Sequence, residues 1–165
     1  RKIPGKYDVD ILGLNYRMSE LQAALGNSQM GRMEEFLTAR KTNFERLSAL
    51  LSDISDTYIL GPTSERQQSS WYCLSIILDE STARGRDEIL LDLKGRGVGT
   101  SVYYPHPTPR LRYYADKYGY DPAHYPGAAS ISDRCISLPV GPHLADGDVD
   151  YIAEHVQEAV AARRL

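Results

Sequence analysis

Cysteine is scarce in this sequence. Only Cys73 and Cys135 are present, each in an apolar, strand-like run. One disulfide is open to them, but two buried thiols in a reducing cytosol fit this usage better, and a cytoplasmic location is the expectation. No apolar run approaches the ~20 residues needed to span a bilayer. Strong charge is also missing: a net charge of −3 gives no footprint for nucleic acid or an anionic membrane, and neither is expected as a partner. The four histidines, at 106, 124, 143 and 155, contain no i, i+4 pair. Neither cysteine has a Cys partner at ligand spacing, so no metal site is expected. Gly95, Gly97 and Gly99 close a helix instead of opening one, which excludes a dinucleotide loop. The strained G-x-S-x-G elbow of a serine hydrolase is absent. The first residue is Arg1, with no signal peptide, as expected of a chain that begins inside a gene product or whose start was removed.

What remains is ordinary globular material. The chain has 165 residues, 42% of them hydrophobic and a quarter charged, enough for one domain with a real core. Residues 1–17 are polar and punctuated by Gly and Pro. Ser19-Glu20-Leu21-Gln22 reads as a capping box opening a long helix over 19–52. Leu21, Leu25, Met33, Phe36, Leu37, Phe44, Leu47 and Leu51 recur at helical spacing. Arg32, Glu34, Glu35, Arg40, Lys41, Glu45 and Arg46 form the opposite, solvated face. Gly31 bends that helix or divides it. Short strands are expected at Thr57–Leu60, Trp71–Leu78, Val98–Tyr104 and Cys135–Leu138. Helices are expected at Asp87–Arg96, stopped by Gly97, at Leu111–Tyr118, Gly127–Arg134 and Val149–Ala162. The order predicts an α+β fold, a small sheet covered by helices on one side.

Two segments hold groups suited to binding. Gly13-Leu14-Asn15-Tyr16-Arg17 stands directly before the capping box. A helix N-terminus offers free N–H donors, Asn15 adds an amide and Arg17 a fork of donors suited to phosphate or carboxylate. A plain helix start, with Arg17 paired to a carboxylate of its own fold, fits the same residues and is preferred on physical grounds alone. The second segment is Tyr103-Tyr104-Pro105-His106-Pro107, followed by Tyr113, Tyr114, Tyr118, Tyr120 and Tyr125. Tyrosine presents a flat apolar face and a polar tip, suited to a sugar or a base. Most of these rings are expected to pack against the sheet, with one or two left for a ligand.

The stretch GLNYRMSELQAAL over 13–25 resembles a motif of the DegT/DnrJ/EryC1/StrS aminotransferases. Further segments follow in the family's order. Ser70-Trp71-Tyr72 resembles its Ser-Trp-His strand start, and 97–105 resembles its "G-I-x-T-x-x-H-Y-x-P" segment. Residues 136–142 are similar to its "L-S-L-P-x-x-P" segment, and 148–152 to its final helix. The resemblance implies residues 1–165 of a C-terminal small domain of a fold-type I pyridoxal-phosphate enzyme. The helix 19–52 would run between domains, and the sheet would be mostly antiparallel. The large domain with the Schiff-base lysine would be absent, because Lys2 and Lys6 lie too close to the motif and lack its surroundings.

The resemblance also implies a reaction and a site. The parent enzyme would move an amino group, usually from glutamate, to a keto sugar that is typically nucleotide-linked, in polysaccharide or antibiotic sugar biosynthesis. Asn15 would cross a homodimer interface to the cofactor phosphate of the neighbouring subunit, with Arg17 beside it. Tyr16, Tyr104 and His106 would face substrate, and this chain would carry no catalytic residue of its own. Tyr72 and Tyr103 depart from the family's usual histidines. Two other readings stay open: a sugar dehydratase of the same family, and a non-catalytic α+β module that dimerises through the long helix.

Overall fold

A computed structural model describes residues 17–55, 57–62, 64 and 66–163. The chain falls into two compact units, 1–33 and 34–165. The described part of the first unit is mainly helix α1, Glu20–Met30. Its capping box forms as the sequence predicts. The Gln22 amide donates to Ser19 Oγ at 3.3 Å, and the Ser19 amide donates to the Gln22 side chain at 2.9 Å. Two of the unpaired donors of a helix start are thus satisfied reciprocally. No residue of α1 is buried.

A turn at Gly31 and Arg32 ends α1, and helix α2 runs from Met33 to Leu51. The expected long helix is therefore two helices, divided at the glycine. Only Phe44, Leu47 and Leu51 of the expected apolar stripe are buried.

The second unit is built on a three-stranded antiparallel sheet in the order β1-β2-β3, with β1 Thr57–Leu60, β2 Leu74–Leu78 and β3 Cys135–Leu138. Alternation along the strands sorts the side chains by face. Leu74, Ile76 and Leu78 join Ile136 and Leu138 in the main core. That core is completed by α2, by Ile89 and Leu93 of α3 (Arg86–Gly95) and by Val149, Ile152, Val156 and Val160 of α6 (Asp148–Ala161). Arg46 pairs with Asp150, and Gln157 donates to the Leu50 carbonyl at 2.8 Å, so α2 and α6 are also fastened at the surface.

Ile77 and Cys135 sit on the alternate face and are fully buried as well. Helix α4 is Arg112–Tyr118, and helix α5, Pro126–Arg134, leads directly into β3 and contacts β2. Cover on one side alone, as expected from the element order, is thus incomplete: every residue of the short β3 is buried.

Two expected strands differ from the observed ones. Trp71 has φ of +50°, a left-handed conformation that cannot continue a ladder. The strand therefore starts at Leu74, not Trp71. Val98–Tyr104 is not a strand. The Val98 amide is used to cap α3, bonding the Leu93 carbonyl at 2.9 Å. Only Ser101 pairs, in a bridge with Ser137 on the outer edge of β3. Prolines 105, 107 and 109 then carry the chain away from the sheet. The two cysteines are free thiols, Cys135 buried and Cys73 half-buried.

Candidate functional site

The geometry centres on Tyr103, where two clefts of the second unit meet. The first has a volume of about 340 Å³ and lies between α2, the start of β2 and the loops that follow Gly97 and Leu138. Arg40, Tyr72, Tyr103 and His143 bring their side chains to it. The second is a groove of about 670 Å³ along the proline loop, lined by Tyr103, Tyr104, His106 and the inner turn of α5.

Local sequence explains how these side chains are held. The left-handed turn at Trp71 seats its indole against Phe44, with ring centroids 4.7 Å apart. Tyr72, the next residue, meets Tyr103 at a centroid distance of 5.7 Å, with the two hydroxyls 3.4 Å apart. The hydrogen bond to Tyr103 is the main reason the Tyr72 hydroxyl is held above its ordinary pKa. The Arg40 guanidinium lies 5.9 Å from the Tyr72 ring centre, within cation–π range. One turn along α2, Asn43 donates to the carbonyls of Val140 and Gly141 at 3.4 and 3.1 Å, fixing the loop that forms the far wall. Gly141 leaves room there for the His143 ring. A Cβ at that position would meet the His143 ring at 2.6 Å.

The proline loop is held at its far end by Arg110, of the short 3-10 turn Thr108–Arg110, which grips Asp133 of α5 with two hydrogen bonds, one of 3.0 Å. That contact is the main reason the Asp133 carboxyl sits below its ordinary pKa, and the nearby His106 contributes to the same shift.

Of the residues expected at the site, Asn15 and Tyr16 lie outside the described residues. Arg17 is exposed, with φ of +46°, immediately before the start of α1. Tyr104 and His106 share the proline-loop groove. Arg40 corrects the sequence reading: expected on a solvated face, it is half-buried in the first cleft. Its place on α2 one turn before the buried Phe44 was the available signal. The tyrosines after the loop are a second correction. Tyr113, Tyr114, Tyr118, Tyr120 and Tyr125 are all exposed and pack on one another in sequence, not into the core. Among the described residues, no group of three or more His, Cys, Asp or Glu could hold a metal, and no helix is long and apolar enough to cross a membrane.

The model of the DegT/DnrJ/EryC1/StrS aminotransferase family matches residues 2–157. The chain belongs to that family. Among its relatives within it is the spore coat polysaccharide biosynthesis protein SpsC of Bacillus subtilis. The two are 29% identical over 163 residues, which is 93% of this chain and 40% of that protein. A dTDP-4-dehydro-2,6-dideoxy-D-glucose 3-dehydratase of Saccharopolyspora spinosa is 28% identical over 163 residues, covering 94% and 34% respectively. Among solved structures, the aminotransferase TlmJ from Streptoalloteichus hindustanus superposes with a TM-score of 0.78 at 26% identity, covering 95% of this chain and 40% of that one. This DegT-family chain therefore spans about 40% of the length of the relatives it matches. The mixed fold with its small antiparallel sheet is that of the aminotransferase neighbours.

Proposed function

We propose that this chain is the C-terminal portion of a pyridoxal-phosphate-dependent enzyme that passes an amino group, usually from glutamate, to a keto sugar, typically one carried on a nucleotide. The observation that carries this reading is the groove that brings Tyr104 and His106 together in a DegT-family chain. A sugar is an apolar-faced, polyhydroxylated ligand. The Tyr104 ring offers a flat surface with a polar tip, and His106 offers ring nitrogens that donate or accept. Tyr103 and α5 form one side of the groove.

The donor set ahead of α1 suits the cofactor's phosphate. Asn15 supplies an amide and Arg17 a guanidinium fork, both ahead of a helix start. In this reading Asn15 and Arg17, with Tyr16 toward the substrate, serve the neighbouring subunit of a homodimer. Pyridoxal phosphate, when bound, supplies a ring that withdraws electrons from the carbon at which the proton is lost. This chain's part is to bind and orient, and the lysine belongs to the remainder of the enzyme.

The test has two arms. The 165-residue chain, mixed with pyridoxal phosphate and treated with borohydride, is expected to carry no stable adduct on a specific lysine. A single strongly modified lysine would defeat the reading. The complete enzyme, given glutamate and a nucleotide-linked keto sugar, is expected to yield an amino sugar by mass. A dehydrated sugar without nitrogen would support the second reading, a dehydratase, which the Saccharopolyspora spinosa relative favours.

A further inference from the structure

Arg40 differs from the other arginines in one respect. Six arginines among the described residues are half-buried: Arg40, Arg86, Arg96, Arg110, Arg134 and Arg163. Five of them donate to a carboxylate, a carbonyl or a hydroxyl of the fold. Arg40 does not. Its Nε is shut off from solvent with no acceptor, and its contact is with the face of Tyr72. Arginine cannot shed its charge in a protein, so neutralisation does not relieve the cost. A sealed N–H without an acceptor is unfavourable enough that native structures seldom keep one without a reason.

The sealed Nε cannot itself reach a ligand, but the guanidinium it belongs to lines a cleft that leaves its charge unmatched. The cleft that Arg40 lines has no carboxylate in its wall, and it carries a second nitrogen group, the ring of His143. Tyr72 and Tyr103 put two hydroxyls 3.4 Å apart at its mouth. When one hydroxyl donates to the other, the second still has a proton to give. Asn43 holds the opposite wall by its carbonyls. We propose that this cleft is an oxyanion subsite, in which Arg40 pairs with a carboxylate or phosphate group and the Tyr72–Tyr103 pair adds a hydroxyl donor. The two sources considered rest on the function proposed above: an amino-acid donor brings carboxylates, and a nucleotide-linked sugar brings a diphosphate.

The 165-residue chain, labelled with nitrogen-15, allows the Arg40 Nε–Hε resonance to be followed during titration. One arm adds inorganic pyrophosphate, the other sodium glutarate. The expected result is a saturable shift of that resonance in at least one arm, weakening as salt rises. Saturation by pyrophosphate alone assigns the subsite to the nucleotide, and by glutarate alone to the amino donor. Arg40→Gln is expected to weaken binding about ten- to a hundredfold, as for loss of a hydrogen bond to a charged group. Tyr103→Phe is expected to weaken it several-fold. An Arg40 resonance that stays still in both arms overturns the proposal, as does equal affinity in a folded Arg40→Gln chain. If circular dichroism shows Arg40→Gln unfolded, the wild-type resonance and Tyr103→Phe decide. Anion binding without amino transfer by the complete enzyme would sink the functional reading alone. Amino transfer without anion binding at Arg40 would sink this subsite alone.

Discussion

Asp133 shows how one residue can hold a whole loop. Its carboxyl, lowered chiefly by the hydrogen bonds from Arg110, contributes stability that is present above the unfolded carboxyl value of about 3.9. That contribution is lost as the pH falls through the lower folded value. The Arg110–Asp133 contact should therefore persist through the neutral range and release only in acid. Carbon-13 titration of the Asp133 carboxyl checks this: a midpoint at or above the ordinary value would contradict it. Asn15 carries the second residue-level prediction. In the complete enzyme, Asn15→Ala should weaken cofactor retention by about 1.5–3 kcal/mol, on the order of ten- to a hundredfold. Turnover at saturating cofactor should fall much less. Equilibrium dialysis beside steady-state rates separates the two. A heterodimer of an Asn15→Ala chain with a lysine-dead chain should hold cofactor at its one lysine as tightly as wild type. Legibility at this scale was uneven. The segment 103–107 could be singled out because tyrosine and histidine cluster there. Arg40 was harder to single out, because it is one of six charged residues on α2 and its spacing to Phe44 is a weak signal against a local pattern that says solvent. What covers that part of α2 lies far along the chain: Trp71 and Tyr72, and the loop after β3, about a hundred residues on and held by Asn43.

Helices were more legible than strands. The hydroxyl and amide of Ser19 and Gln22 act within four residues, so the capping box follows from local chemistry, and it forms. Ser19→Ala should cost α1 about 0.5–2 kcal/mol. The loss would appear as faster amide exchange in the first turn of α1, with the sheet unchanged. Exchange in that first turn equal to wild type would show that the box contributes nothing. The division at Gly31 followed from low helix propensity. The failed strand at 98–104 has a different cause. Val98, Val102 and the tyrosines favour extended backbone, but the Val98 amide was already committed to α3 and the prolines removed donors beyond Tyr104. Whether a segment pairs depends on which edge is free, and that is not a local property. Trp71 is a similar case, since its packing on Phe44 goes with a left-handed backbone that delays the start of the strand.

At the scale of the molecule, the unit 34–165 has its own core, while α1 has none. Leu21 and Leu25, one turn apart, are 82% and 63% exposed. Apolar surface of this kind usually finds a partner. The chain is expected to form a dimer or larger assembly through it. Light scattering checks this, and a strictly monomeric mass at high concentration would count against it. The family was readable because its motifs follow one another in order along nearly the whole sequence. The position of the first cleft was not, because it assembles from four separate stretches. One small contact sets how the site region should behave in time. Ser101 and Ser137 exchange two hydrogen bonds, of 3.0 and 2.8 Å, and among the described residues no other backbone pairing holds that edge. In deuterated solvent the Ser101 amide should stand as a lone slow exchanger between fast neighbours. Its exchange rate would then report, at a single proton, how often the tyrosines beyond it come away from the sheet.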